Sequence, residues 1–217
     1  MIRIVHLAAV AAGLMATPGR GWAQVPTDSG SFVVRHGDDV VVTERFVRTP
    51  THLDGTLAIH NGKSTSQRYS AVVAPDETLP LIEVTVREGE DTGAVKSRVV
   101  ERARVIFRED SAAVDAVNGN GLVTRIFSTK PGAVPYLNLS FALLEQAVRR
   151  AFAGPKATAV PFFNLGGGQT VSAELILLSP DSVRVDIGST QFRLHVDSAG
   201  RVLGGGIPAQ GVKVQRQ

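Results

Sequence analysis

Beyond residue 30 the chain alternates apolar and polar positions in short runs separated by turn residues. Residues 31–35 and 40–48 flank His36-Gly37-Asp38-Asp39, while 57–60 and 68–74 flank Asn61-Gly62, a strong two-residue hairpin signal. In 79–87, Ile82, Val84 and Val86 share one face and Glu83, Thr85 and Arg87 the other. Further runs over 98–108, 112–117 and 122–128 are divided by Asp110-Ser111 and Asn118-Gly119-Asn120-Gly121. The same alternation returns in Val183, Val185 and Ile187 and in Phe192, Leu194 and Val196, with charged residues between them. An antiparallel sheet with one solvated side has this period of two.

One segment changes period. Phe141, Leu144, Val148 and Phe152 follow a helical stripe, with Leu137 just before it. Asn138 or Ser140 can cap the start, and Gly154-Pro155 ends the run. Glu145, Arg149 and Arg150 fall on the opposite, polar side. A helix of about fifteen residues is marginal by itself in water, so it must pack on the sheet. The predicted fold is mainly β: a curved antiparallel sheet or incomplete barrel of roughly a dozen strands packed on one mid-chain α-helix.

The first 23 residues stand apart. Arg3 and His6 precede an apolar run over residues 7–16 that is too short to span a bilayer, and Gly21-Trp22-Ala23 offers small residues for cleavage. This pattern predicts a removed signal peptide over 1–23, with cleavage between Ala23 and Gln24, and one β-rich domain over 24–217. The expected location is a bacterial periplasm or the medium outside. No transmembrane segment is expected in the mature form.

Cleavage changes the charge balance. Removing Arg3 and Arg20 from 23 basic residues leaves 21 against 20 acidic ones, a net charge of +1 rather than +3. The basic residues are spread among acids, so nucleic acid is not an expected partner. The chain has no cysteine, which excludes disulfides, thiolate chemistry, zinc–sulfur sites and a lipidated anchor.

Patterns that carry chemistry are missing. GxSxG, SxxK, HExxH and the phosphate- and dinucleotide-binding glycine motifs do not occur. His36, His52, His60 and His195 lack metal-ligand spacing, and Glu88, Glu90 and Asp91 read as a solvated loop. Gly166-Gly167-Gly168 and Gly204-Gly205-Gly206 read as tight turns, bulges or close backbone crossings. No enzyme activity, cofactor or metal is expected. Phe162-Phe163 is more telling, because neighbouring residues of a strand face opposite ways. Either both faces are covered there, or one ring joins Tyr136 in an apolar groove. Tyr136, Phe162 and Phe163 are the candidate ligand-binding residues.

Three stretches carry a resemblance: SFVVRHGDDVVVTERF from Ser31, PGAVPYLNLSFALLEQAVRRAFAG from Pro131, and FRLHVDSAGRVLGGGIPAQGVKV from Phe192. In their order they resemble exported domains of unknown function, similar to the lipoprotein-carrier (LolA/LolB-like) fold. That resemblance implies a highly curved antiparallel sheet around helical segments, and it transfers no functional residue. The tail from Ile207 also resembles segments leading into catalytic domains of longer exported proteins. Two functions follow as expectations. One is binding of a lipid or other apolar or amphipathic ligand in the bacterial envelope. The other is a non-catalytic accessory module with an envelope protein partner.

Overall fold

A computed structural model of the protein describes residues 27–60, 64–89, 97–152 and 157–217. The expected leader with Ala23 and Gln24, the Asn61-Gly62 turn, Glu90, Asp91 and Gly154-Pro155 lie outside these residues. The first half of the fold comprises β1 (Asp28–His36), β2 (Asp39–Arg48), β3 (His52–His60), β4 (Ser64–Val72), β5 (Leu81–Glu88), β6 (Arg98–Phe107), β7 (Ser111–Asn118) and β8 (Gly121–Ser128). After β9 (Val134–Tyr136) and α1 (Phe141–Phe152) come β10 (Ala157–Asn164), β11 (Thr170–Ser179), β12 (Ser182–Ile187), β13 (Thr190–Val196), β14 (Val202–Ile207) and β15 (Val212–Arg216).

All fifteen strands form one open, curved sheet in the order 8-7-6-5-4-3-2-1-15-14-13-12-11-10-9. Each half of the chain is an antiparallel meander, and the halves join where β1 pairs with β15. Only β9 and β10 pair in parallel among the described strands, and α1 is their crossover connection. The strand number exceeds the expected dozen for local reasons. β9 is three residues long with Pro135 at its centre, and β14 runs through three glycines, so neither shows alternation.

The helix-facing side of the sheet is the core. Phe32 stacks on Phe46 with centroids 5.5 Å apart, and Phe141 of α1 lies 5.9 Å from Phe32 and 6.2 Å from Phe192. The predicted apolar stripe is buried, but the polar side of α1 departs from expectation. Glu145 and Gln146 are fully enclosed, because the sheet curls far enough to reach the helix from several strands. Among the described residues the helix covers 12, Phe141–Phe152.

Gly55 shows how tightly the layers approach. It pairs with Tyr69 across β3 and β4, and a Cβ there would sit 2.2 Å from the phenol ring. The bare glycine therefore lets Tyr69 lie flat over the strand and reach its partner on β2.

Candidate functional site

Two buried carboxylates hold the helix. Glu44 of β2 is 0% exposed and fully engaged. Its Oε1 accepts from the Tyr69 hydroxyl at 2.7 Å and the Ser140 hydroxyl at 2.6 Å, while Oε2 accepts from the N–H groups of Phe141 and Ala142 at 2.7 and 3.0 Å. Ser140 Oγ in turn accepts from the Leu143 N–H at 3.3 Å. The cap expected from Ser140 is thus shared with a carboxylate from a distant strand, placed where the free N–H groups and the helix dipole favour negative charge. Burial pushes the Glu44 carboxyl above its usual range, against the pull of these bonds. Burial, then the nearby Glu44, pushes Tyr69 well above its ordinary value. Glu, Tyr and Ser together resemble acid–base machinery, yet every lone pair is used and no face meets solvent. The trio is a helix anchor.

Glu145 anchors the other side. Its carboxylate accepts from the Val202 N–H at 2.8 Å, Arg216 at 2.7 Å and Arg149 at 3.0 Å. Asp28 closes the cluster by binding Arg149 and Arg216, each at 2.7 Å. Arg216 also lies over Phe46, 4.9 Å from the ring centroid. The next residue, Gln146, bridges Arg48 and Glu77. Sequence reading missed all of these residues. The one local signal was an acid and an amide on a helix otherwise spaced for burial.

Of the three expected ligand residues, two meet in space and the third faces the other way. Phe162 is 1% exposed and packs edge-on to Tyr136 at 5.9 Å. Phe163 is 0% exposed and points the other way, edge-on to Phe107 at 5.5 Å and Phe127 at 5.9 Å. Both faces of β10 are covered at this point, the first alternative read from the pair. Tyr136 is half-buried, and burial raises its pKa.

An open groove lies on the opposite, outer face of the sheet. It measures about 700 Å³ and runs over Gly204, Gly205 and Gly206 of β14. These glycines are neither a phosphate loop nor a turn; they are a strand whose neighbours press against it. A Cβ at Gly205 would sit 2.1 Å from the Arg193 carbonyl oxygen, and one at Gly206 2.0 Å from that of Val212. Their φ angles of +135° and +159° also suit glycine. With no side chains on Gly204–Gly206, the neighbouring strands become walls.

The register gives those walls their chemistry. Gly206 is opposite Arg193 on β13 and Lys213 on β15, and Lys213 is opposite Arg35 on β1. The adjacent outward row is His195, Gly204, Gln215 and Val33, continuing to Thr43 and Ala58. One row is therefore cationic and the next uncharged or titratable. Neither Asp nor Glu lines the groove. Arg35 donates to the Asp38 carbonyl at 2.8 Å, and among the described residues neither Arg193 nor Lys213 forms an ion pair. Beyond Arg193 on the same row, Arg184 is matched by Asp186 at 3.1 Å. A neighbouring depression runs over Ser31, Thr43, Thr56 and Ala58, with Arg45 beside them. Among the described residues no cluster of three metal-binding side chains occurs, and no helix is long and apolar enough to cross a membrane.

No protein-family model and no curated protein matches the chain. A solved structure does: a DUF1089 family protein from Pseudomonas aeruginosa, 13% identical, with a TM-score of 0.56. The match covers 80% of this chain and 92% of that one. At that identity the likeness is one of fold, so the chain shares its architecture with a protein from a family of unknown function.

Proposed function

We propose that this is an exported, non-catalytic binding protein of the bacterial envelope, holding an amphipathic ligand on the outer face of its sheet. The observation that carries this reading is the groove over Gly204–Gly206, whose floor lacks side chains and whose walls combine Val33, Pro208 and Val212 with polar residues. The resemblance of the sequence to lipoprotein carriers supports a lipid-like ligand. Tyr136, Phe162 and Phe163 support the fold on the two faces of β10, where a ligand would have to displace packed rings.

Native mass spectrometry of protein purified from a bacterial periplasm, followed by lipid extraction, tests the reading. A bound amphiphile is expected, and it should be lost in Gln215→Trp, which fills the trough from an exposed position. An empty protein, or a ligand unaffected by that indole, overturns the proposal.

A second reading has its own support. Edge strand β8 exposes Leu122 (66%) and Ile126 (76%), the pattern of an interaction surface. Binding that survives Gln215→Trp but fails in Leu122→Lys/Ile126→Lys would favour an accessory module.

A further inference from the structure

We infer that the ligand carries a phosphate headgroup, seated over Gly206 between Arg193 and Lys213, with its apolar body lying across the neighbouring neutral row. The inference rests on the proposed binding function and specifies its chemistry and orientation. Arg193 and Lys213 stand in register on either side of Gly206, two strand spacings apart, or about 10 Å between their backbones. Arg35 adds a third cation one strand further on. Gly206 itself carries no side chain, and its close approach to the Val212 backbone admits none, so the floor between the first two is bare backbone. That floor leaves room for an anion of phosphate size, reached from both walls by long flexible cations.

The charges are uncompensated where it matters. Acids flank the row at Asp186 on β12, which binds Arg184, at Asp38 and Asp39 in the hairpin beyond Arg35, and at Asp181 beside His195. Arg184, farther along the same row, shows the alternative: it has its own carboxylate in Asp186. Among the described residues Arg193 and Lys213 form no ion pair, and both are exposed to solvent at the groove. Arg offers a planar fork and Lys a point charge, and a phosphate can accept from both, each charge-assisted bond being stronger than a neutral one.

Direction follows from the adjacent row. Two residues along each strand, about 7 Å away, the side chains change to Gln215, Val33, Thr43 and Ala58. A free inorganic anion would use the cationic row and ignore this belt. An amphiphile uses both, with its head over Gly206 and its body crossing β15, β1, β2 and β3. The groove adjoins the depression over Ser31, Thr43, Thr56 and Ala58, since Val33 and Gln217 line both, and Arg45 stands at that depression's far side.

Amide NMR titrations of the purified protein test this with dihexanoyl phosphatidic acid, dihexanoyl phosphatidylcholine and inorganic phosphate, each below any micelle concentration. Phosphatidic acid should shift the Gly204–Gly206 amides and those of Val33 and Thr43. It should bind at least tenfold more tightly than the zwitterionic lipid, with affinity falling as salt is raised. Arg193→Ala/Lys213→Ala, at two exposed positions, should remove that preference while the circular dichroism spectrum stays native. Equal binding of the two lipids, or a preference intact in the double variant, overturns the headgroup assignment while leaving ligand binding in place. Inorganic phosphate binding as tightly as phosphatidic acid overturns the amphiphile. If no lipid binds, the underlying binding function fails with it.

Discussion

Glu44 is the residue whose removal tests the helix-anchor argument most directly. Glu44→Ala deletes four hydrogen bonds and leaves two backbone N–H groups and two hydroxyls facing a dry space. At about 1 kcal/mol net per bond, with a further cost for unsatisfied donors and some relief from entering water, the loss should be about 3–5 kcal/mol. For a chain of this size each kcal/mol lowers Tm by about 2–4 °C, so the midpoint should fall by about 6–20 °C. Glu44→Gln should cost about 1 kcal/mol or less. Its amide oxygen can accept from Phe141 and Ala142, while its NH2 group donates to the hydroxyl oxygens of Tyr69 and Ser140. Calorimetry across pH adds a sign. Burial raises the folded-state pKa of Glu44. The folded protein therefore holds this proton more tightly than the unfolded chain, and the associated stability is present below the ordinary carboxylate pKa. It is lost as pH rises through the raised value. Glu44→Gln should thus gain on the parent as pH increases from the ordinary carboxylate pKa. A Glu44→Ala variant within 1 kcal/mol of the parent, or a Gln variant as damaged as Ala, would refute the anchor.

Other expectations follow from the same geometry. Tyr69→Phe removes one bond to Glu44 and should cost about 1–1.5 kcal/mol in a urea titration. Gly206→Ala places a methyl group against the Val212 carbonyl in a strained backbone region and should destabilise by about 2–4 kcal/mol. Arg216→Ala strips the buried Glu145 of one partner and uncovers Phe46, and a loss of about 3 kcal/mol is expected; Arg216→Lys should restore less than half, lacking the fork that reaches Asp28 and Glu145 together. Leu122→Lys/Ile126→Lys should leave Tm within about 2 °C and reduce light scattering on prolonged heating, since both side chains are exposed on an unpaired edge.

Alternation made much of the sheet readable, because a strand with one buried side writes its own period. Val183, Val185, Phe192 and Leu194 are examples, all buried where the pattern put them. The helical stripe was readable for the same reason. Glu145 was misread because helical position predicts which side faces the nearest layer; it does not reveal that the sheet curls far enough to enclose the rest. Glu44 was invisible for a related reason: its partners lie 25 and about 97 residues away, beyond any local pattern. The groove shows a different limit. Gly204–Gly206 drew notice as a close backbone crossing, but its consequence needed the register. Only pairing reveals that bare Gly206 stands between Arg193 and Lys213.

The join between β1 and β15 carries a kinetic consequence. Each meander can grow by neighbouring hairpins at little entropic cost, whereas Phe32 meets Arg216 only when nearly the whole described chain closes into a loop. The middle of the finished sheet is therefore its slowest seam to zip. Asp28, Glu145, Arg149 and Arg216 belong to the first strand, the helix and the last strand, so their ionic cluster cannot exist in either half separately. It acts as a latch that engages when assembly is complete, and a chain lacking β15 would be two sheets with no clasp between them.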